Sequence, residues 1–326
     1  MTTLIIDSQG ASLSFRQNRF IVASGSEELM NISLHSVSRI HTHGNISLRN
    51  SAVKAALQNQ IPVHFSTQYG HYHGTLHPAG NKNVFLRIKQ AQLVASQEFC
   101  TTIATQLVQR KIANQRQLLQ RHHKQYTIPE LMQAQIRMGG IAKALRNPAS
   151  LATVRGIEGI CSKIYFDNFQ HLLRNPALTF TTRTRRPARD PINAMLNLGY
   201  TILMTEIASA LRDHGLDPDI GYLHQPAYGR PSLACDIIEP FRGSIDELVV
   251  RTINRRQIGT SDFRTEAAGT HMYDSGRRKY LALIEELLST GDIRRPALRK
   301  CIQQQCTELV RMISGDQADP TLPESA

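Results

Sequence analysis

From Phe85 through Gln125 the chain carries neither glycine nor proline, and Leu86, Val94, Ile103, Leu107, Ile112, Leu118 and Leu119 recur there among polar residues. Nothing in that stretch stops a helix, so it predicts one long helix or a broken pair. Helical patterns return over Pro129 to Met138, Leu151 to Leu173, Pro191 to Leu211, Ser232 to Glu239, Asp246 to Asn254, Arg277 to Ser289 and Pro296 to Ile313. Upstream the pattern changes. Short apolar runs separated by turn residues, at Thr3 to Ile6, Ser12 to Phe15, Arg19 to Val22, Asn31 to Leu34, Arg39 to His41 and Ile61 to Phe65, predict strands, with one helix over Ser51 to Gln58. The expected class is α+β: a β-rich N-terminal domain over residues 1–84, then a larger, mostly helical catalytic domain over 85–326. A chain of 326 residues suits two domains of roughly 150 residues each.

The charge is unevenly placed. Lys and Arg number 38 against 26 Asp and Glu, a net of +12, yet from Leu29 to Ile157 fifteen basic residues face only Glu98 and Glu130. The whole basic excess therefore lies in one segment, which suits a polyanion such as nucleic acid, because each neutralised phosphate releases counterions. A solubilising surface is the alternative. With no tryptophan and 6% aromatic residues, stacking on bases is disfavoured and phosphate contact is the natural mode. The most apolar long stretch, Pro191 to Thr205, lies between Asp190 and Glu206 and falls short of the roughly 18 residues that a membrane helix needs. The start of the chain lacks the basic and apolar regions of a secretory signal. Five cysteines form no CxxC pair, which argues against a zinc ribbon or a disulfide framework and makes a reducing, cytoplasmic location the expectation. The tail from Ser314 reads as a frayed terminus.

Asn175 to Asp190 reads as a loop whose stretch TTRTRRPARDP holds Arg183, Arg185, Arg186 and Arg189. Arginine favours bidentate phosphate contact, and a solvated charge run is the alternative. His71, His73 and His77 have no Cys, Asp or Glu near them in sequence and read as a plain surface loop. Three other places combine acidic and histidine side chains: Glu158 among glycines in GIEG, His224 in GYLHQPAYGRPSL, and Asp236 with Glu239 in ACDIIEPFR. Each glycine beside Glu158 costs a helix roughly 1 kcal/mol, so close backbone approach is expected there. Asp236 and Glu239, three apart, are expected on one helix face. Together these residues offer one nitrogen and two or three carboxylates, a donor set suited to Mg²⁺ or Mn²⁺. Such a metal polarises a phosphodiester and stabilises the departing oxygen. Spacing alone does not bring them together.

The motifs GIEGICSKIYF, RTRRPARDPINAMLNLGYTIL and GYLHQPAYGRPSLACDIIEPFR, in that order, resemble the CRISPR-associated integrase family, the larger of the two adaptation proteins. The segment NISLHSVSRIHTHGNISLRNSAVKAALQNQIPVHF resembles that family's β domain, so the likeness spans nearly the whole chain. It implies a metal site of Glu158, His224 and Glu239, with Asp236 in support and Arg242 at a position that contacts DNA. Glu239 stands where many members carry aspartate, and Ala188 where a second proline is usual. The resemblance further implies double-stranded DNA as substrate, a homodimer, and a small adaptation partner (Cas two) that bridges two such dimers. The reaction it implies is insertion of short captured DNA by attack of a 3′ hydroxyl on a phosphodiester at the edge of a repeat. Replacing Glu158, His224 or Glu239 is expected to abolish strand transfer, and replacing Asp236 to be milder. A DNA-binding scaffold that has lost catalysis and a mobile-element transposase are the alternatives.

Overall fold

The computed structural model describes residues 2–68, 72–79, 83–292 and 296–315. The chain divides into two compact units, Met1–Lys82 and Asn83–Ala326.

The first unit is built from β1 (Thr2–Ile6), β2 (Ser12–Arg16), β3 (Arg19–Ser24), β4 (Glu27–Ser33), β5 (Val37–His43), β6 (Ser47–Leu48), α1 (Asn50–Gln58), β7 (Val63–Ser66) and β8 (Tyr72–Leu76). They form two four-stranded sheets, ordered β1-β5-β7-β8 and β4-β3-β2-β6. Gln17 and Asn18 turn β2 into β3 with φ of 47° and 60°, the left-handed pair that a two-residue hairpin requires. Alternate residues Leu4 and Ile6, Leu13, and Phe20 and Val22 point into one core with Ala52 and Ala56 of α1. Of the histidine-rich segment expected as a loop, Tyr72–Leu76 with His73 is in fact an edge strand, and His77 follows it. β8 pairs antiparallel with β7 (His64 with Thr75, Phe65 with Gly74), and His64 Nδ1 lies 2.7 Å from Thr75 Oγ1. Backbone pairing overrode a segment with little apolar alternation. His71 lies outside the described residues.

The second unit holds α2 (Val84–Leu93), α3 (Gln97–Tyr126), α4 (Pro129–Ala142), α5 (Leu151–Asp167), α6 (Pro191–Asp213), α7 (Ser232–Ile237), α8 (Arg242–Asn254), the hairpin β9 (Phe263–Glu266) and β10 (Gly269–Met272), α9 (Asp274–Ser289) and α10 (Leu298–Ser314). The stretch free of glycine and proline is a broken pair. α2 ends at Leu93, and Ser96 starts α3, its hydroxyl accepting the Phe99 N–H at 3.2 Å, with Glu98 in the positive first turn. α3 closes on Thr127 in the left-handed region (φ 53°), and Pro129 opens α4 where its missing N–H costs nothing. The helix expected over Leu151 to Leu173 stops at Asp167 and gives way to a 3-10 turn, Phe169–Leu172. No pattern in the sequence announced the β9–β10 hairpin. Beyond Gly315 the expected frayed tail lies outside the described residues.

α3 packs against α4, α5 and α8, and α6 against α8. The last pair approaches closely because a Cβ at Gly199 would fall 2.6 Å from Ile245 Cγ2. α6 is long and apolar enough to cross a bilayer, but 72% of its most apolar window is buried within the protein, as in a core helix.

Candidate active site

α5 presents Glu158 between two exposed glycines. A Cβ built on Gly156 or Gly159 meets nothing within 4 Å, so the expected close backbone approach is absent and the glycines leave the surface beside Glu158 bare. Glu158 Oε1 accepts from Ser162 Oγ at 2.8 Å, one turn on. The same oxygen contacts the ammonium of Lys111, which projects from the middle of α3 with its side chain 7% exposed. Lys111 Nζ also lies 2.6 Å from Glu239 Oε2. Two carboxylates from distant parts of the chain thus share one cation.

Glu239 is buried, and its other oxygen takes Arg242 Nε at 3.0 Å. Burial by itself pushes this carboxyl up, but Arg242 and Lys111 outweigh it and hold the pKa at about 2, so Glu239 is ionised. Asn114 of α3 donates to Pro240 O at 2.8 Å and ties down the turn that carries Glu239. α7 ends at Ile237 and Glu239 opens a 3-10 turn, so Asp236 and Glu239 do not share the helix face expected of them.

Asp236 faces the opposite way, onto the 221–224 loop. Its Oδ2 accepts the backbone N–H groups of Tyr222 (2.6 Å) and Leu223 (2.9 Å), and its Oδ1 that of His224 (2.8 Å). Oδ1 also receives His224 Nδ1 at 2.8 Å. A carboxylate only accepts, so Nδ1 carries the proton and Nε2 keeps its lone pair for a ligand. Gly221 is required for this packing, since a Cβ there would fall 2.6 Å from the Ser232 carbonyl carbon and 2.7 Å from His224 O. Arg155, one turn before Glu158, donates to Leu223 O at 2.7 Å and fastens the histidine loop to α5. The pair Glu158 and Glu239 closes on Lys111 while His224 closes on Asp236. The ligand atoms of Glu158, His224 and Glu239 are accordingly not all within 4.8 Å of one another.

The four loop arginines divide. Arg185, Arg186 and Arg189 are exposed. Arg183 turns inward: Nη1 donates to Asn193 Oδ1 at 2.8 Å and Nη2 to Asn197 Oδ1 at 2.7 Å, with its guanidinium 5.4 Å from the Tyr200 ring centre. Arg242 lies over the same ring at 4.7 Å. Tyr200 and Tyr165 both donate to Asp246, the latter at 3.0 Å. Burial pushes the Asp246 carboxyl up to about 6, against the pull of those two hydroxyls, Arg242 and Arg183. A continuous set of contacts therefore runs from Arg183 across Tyr200 to Arg242 and Glu239.

Sequence reasoning missed Lys111, Tyr165, Tyr200 and Asp246. For Lys111 a signal existed. It occupies the apolar stripe of α3 defined by Leu107, Ile112 and Leu119, a place where lysine is rare unless paired.

Two carboxylates and an imidazole nitrogen form a donor set suited to Mg²⁺ or Mn²⁺. Glu239 Oε2, buried, lies 2.6 Å from a lysine ammonium, so the protein has built a place for positive charge. The residues fit a divalent metal.

A family model described as "CRISPR associated protein Cas1" matches residues 4–286. The "CRISPR-associated endonuclease Cas1 1" of Thermodesulfovibrio yellowstonii is 34% identical over 292 residues, covering 88% of this chain and 91% of that protein. A CAS1 protein from Thermotoga maritima has a solved structure that superposes with a TM-score of 0.84 at 26% identity, over 98% of this chain and 99% of that one. A chain of a "Cas6-RT-Cas1--Cas2 complex" superposes with a TM-score of 0.81 at 27% identity, over 97% of this chain and 35% of that longer one.

Proposed function

Since the chain belongs to the family of CRISPR-associated protein Cas1, we propose that it is a metal-dependent DNA integrase and endonuclease of CRISPR adaptation. The observation that carries this reading is the convergence of Glu158 and Glu239 on a single cation beside the bare glycine surface of α5. In this reading Glu158, His224 and Glu239 hold Mg²⁺ or Mn²⁺. The ion, when bound, lowers the pKa of the attacking hydroxyl and stabilises the departing oxygen.

The chain's own residues do the rest. Asp236 sets the tautomer and direction of the His224 ring. Arg242 fixes one Glu239 oxygen and frees the other for the ion. The exposed guanidinium groups of Arg185, Arg186 and Arg189 hold phosphates of double-stranded DNA, so that the 3′ hydroxyl of a short captured DNA stands in line with a phosphodiester at the repeat edge. Arg183 shapes the loop from within. The chain acts in the cytoplasm as a homodimer, with the small adaptation partner bridging two dimers. The Cas1–Cas2 complex among its structural relatives supports that partnership.

A half-site integration assay with Mg²⁺ or Mn²⁺ tests the reading. Glu158→Ala, His224→Ala and Glu239→Ala are each expected to abolish strand transfer while retaining DNA binding. Normal integration by any of them removes that residue from the site, and normal integration by all three leaves the metal reading without support.

A further inference from the structure

Lys111 engages two of the three side chains that the proposed metal site would use. Its ammonium touches Glu158 Oε1 and lies 2.6 Å from Glu239 Oε2, the same oxygens that the metal reading needs. The side chain is almost wholly buried on the apolar face of α3, so it is not a solvated lysine that happened to reach an acid. Two carboxylates this near to one another repel unless a cation lies between them, and one of them is buried. The ammonium removes that repulsion when no metal is present.

We propose that Lys111 is a displaceable cation: it keeps Glu158 and Glu239 paired in the metal-free protein and must leave their oxygens for a divalent ion to bind. The inference rests on the metal reading of Glu158 and Glu239. A second observation supplies the place it leaves for. Gln115, one turn along the same face of α3, is buried at 1% exposure, and its Oε1 has no hydrogen bond among the described residues. Residues four apart on a helix are neighbours, within reach of a flexible four-carbon stem. An ammonium pushed off the carboxylates finds an acceptor there, and the ion and the lysine exchange one site between them.

Competition of this kind has a signature opposite to that of a structural strut. Removing the lysine charge removes the competitor, so divalent ions bind more tightly. Removing a strut lets the carboxylates separate, so they bind more weakly. Mn²⁺ binding is measured on the full chain by the loss of the free-ion electron paramagnetic resonance signal, for the wild type, Lys111→Met, Lys111→Gln and Glu239→Gln. Thermal unfolding is followed in parallel with chelator and with Mn²⁺. Both Lys111 variants are expected to bind Mn²⁺ at least roughly tenfold more tightly than the wild type, to melt lower in chelator, and to recover more on adding Mn²⁺. Mn²⁺ dissociation constants equal to or weaker than wild type in both variants overturn the proposal. If wild type and Glu239→Gln bind Mn²⁺ alike, the metal reading itself fails and this inference falls with it. If wild type binds, Glu239→Gln does not, and the lysine variants are unaltered, the metal reading stands and only Lys111 loses its role.

Discussion

Replacing Asp236 should damage this protein more than replacing a metal ligand. The side chain is fully buried and accepts four hydrogen bonds, from the backbone of Tyr222, Leu223 and His224 and from the His224 ring. In Asp236→Ala all four donors lose their acceptor. Those of Tyr222 and Leu223 belong to residues only 1% and 2% exposed, so water does not replace it readily. An orphaned buried donor costs about 1–3 kcal/mol, which puts the two together at roughly 2–6 kcal/mol before the more accessible His224 contacts are counted. At about 2–4 °C per kcal/mol for a domain of this size, the melting temperature should fall by roughly 4–24 °C. Asp236→Asn should fare little better, since an amide has one acceptor where the site uses two and turns an NH₂ toward donors. The assay is thermal unfolding of wild type, Asp236→Ala, Asp236→Asn and Glu158→Ala, with strand transfer measured below all four transitions. Asp236→Ala should be the least stable and inactive, the reverse of the mild effect that the sequence led one to expect. A melting temperature within about 2 °C of wild type with strand transfer retained would refute the reasoning.

The loop arginines should separate by role. Arg185, Arg186 and Arg189 changed together to alanine should lower DNA affinity and flatten its salt dependence, by up to about one unit of log–log slope for each phosphate they neutralise, with unfolding unaltered, as fluorescence anisotropy across a salt series will show. Arg183→Ala should lower the melting temperature, because Asn193 Oδ1 and Asn197 Oδ1 each lose a guanidinium donor; an unchanged melting temperature contradicts this. The Asp246 carboxyl, raised to about 6 against an unfolded value near 3.8, contributes stability that is complete below pH 3.8 and is lost as pH rises through 6. Denaturant unfolding should therefore show Asp246→Asn gaining on wild type, by up to a few kcal/mol, between pH 4.5 and pH 7. A difference independent of pH is the contrary result.

The strand-rich start and helical remainder were legible because period and punctuation are local. Ser96 was in plain view, but a serine inside an unbroken apolar pattern does not announce whether it caps or continues a helix. β8 and the β9–β10 hairpin were hidden because their stability comes from pairing, with too little alternation to declare it. For the site, side-chain chemistry set Glu158, His224, Asp236 and Glu239 apart from their neighbours, and the family resemblance joined them into one site. It could not tell that Asp236 turns toward backbone amides while Glu239, three residues on, turns toward α3. Nor could four clustered arginines reveal that one lies inward over Tyr200. Lys111 was the deepest omission, because a lysine 47 residues before Glu158 acquires meaning only when α3 and α5 pack.

Anomalous diffraction at the manganese edge, on crystals of the full chain grown with Mn²⁺, tests the central claim most directly. The account predicts a peak bounded by the carboxylates of Glu158 and Glu239 and by His224 Nε2, with the Lys111 ammonium withdrawn from both acids. Manganese bound elsewhere, or an unoccupied acid pair still spanned by Lys111 at saturating Mn²⁺, would contradict it.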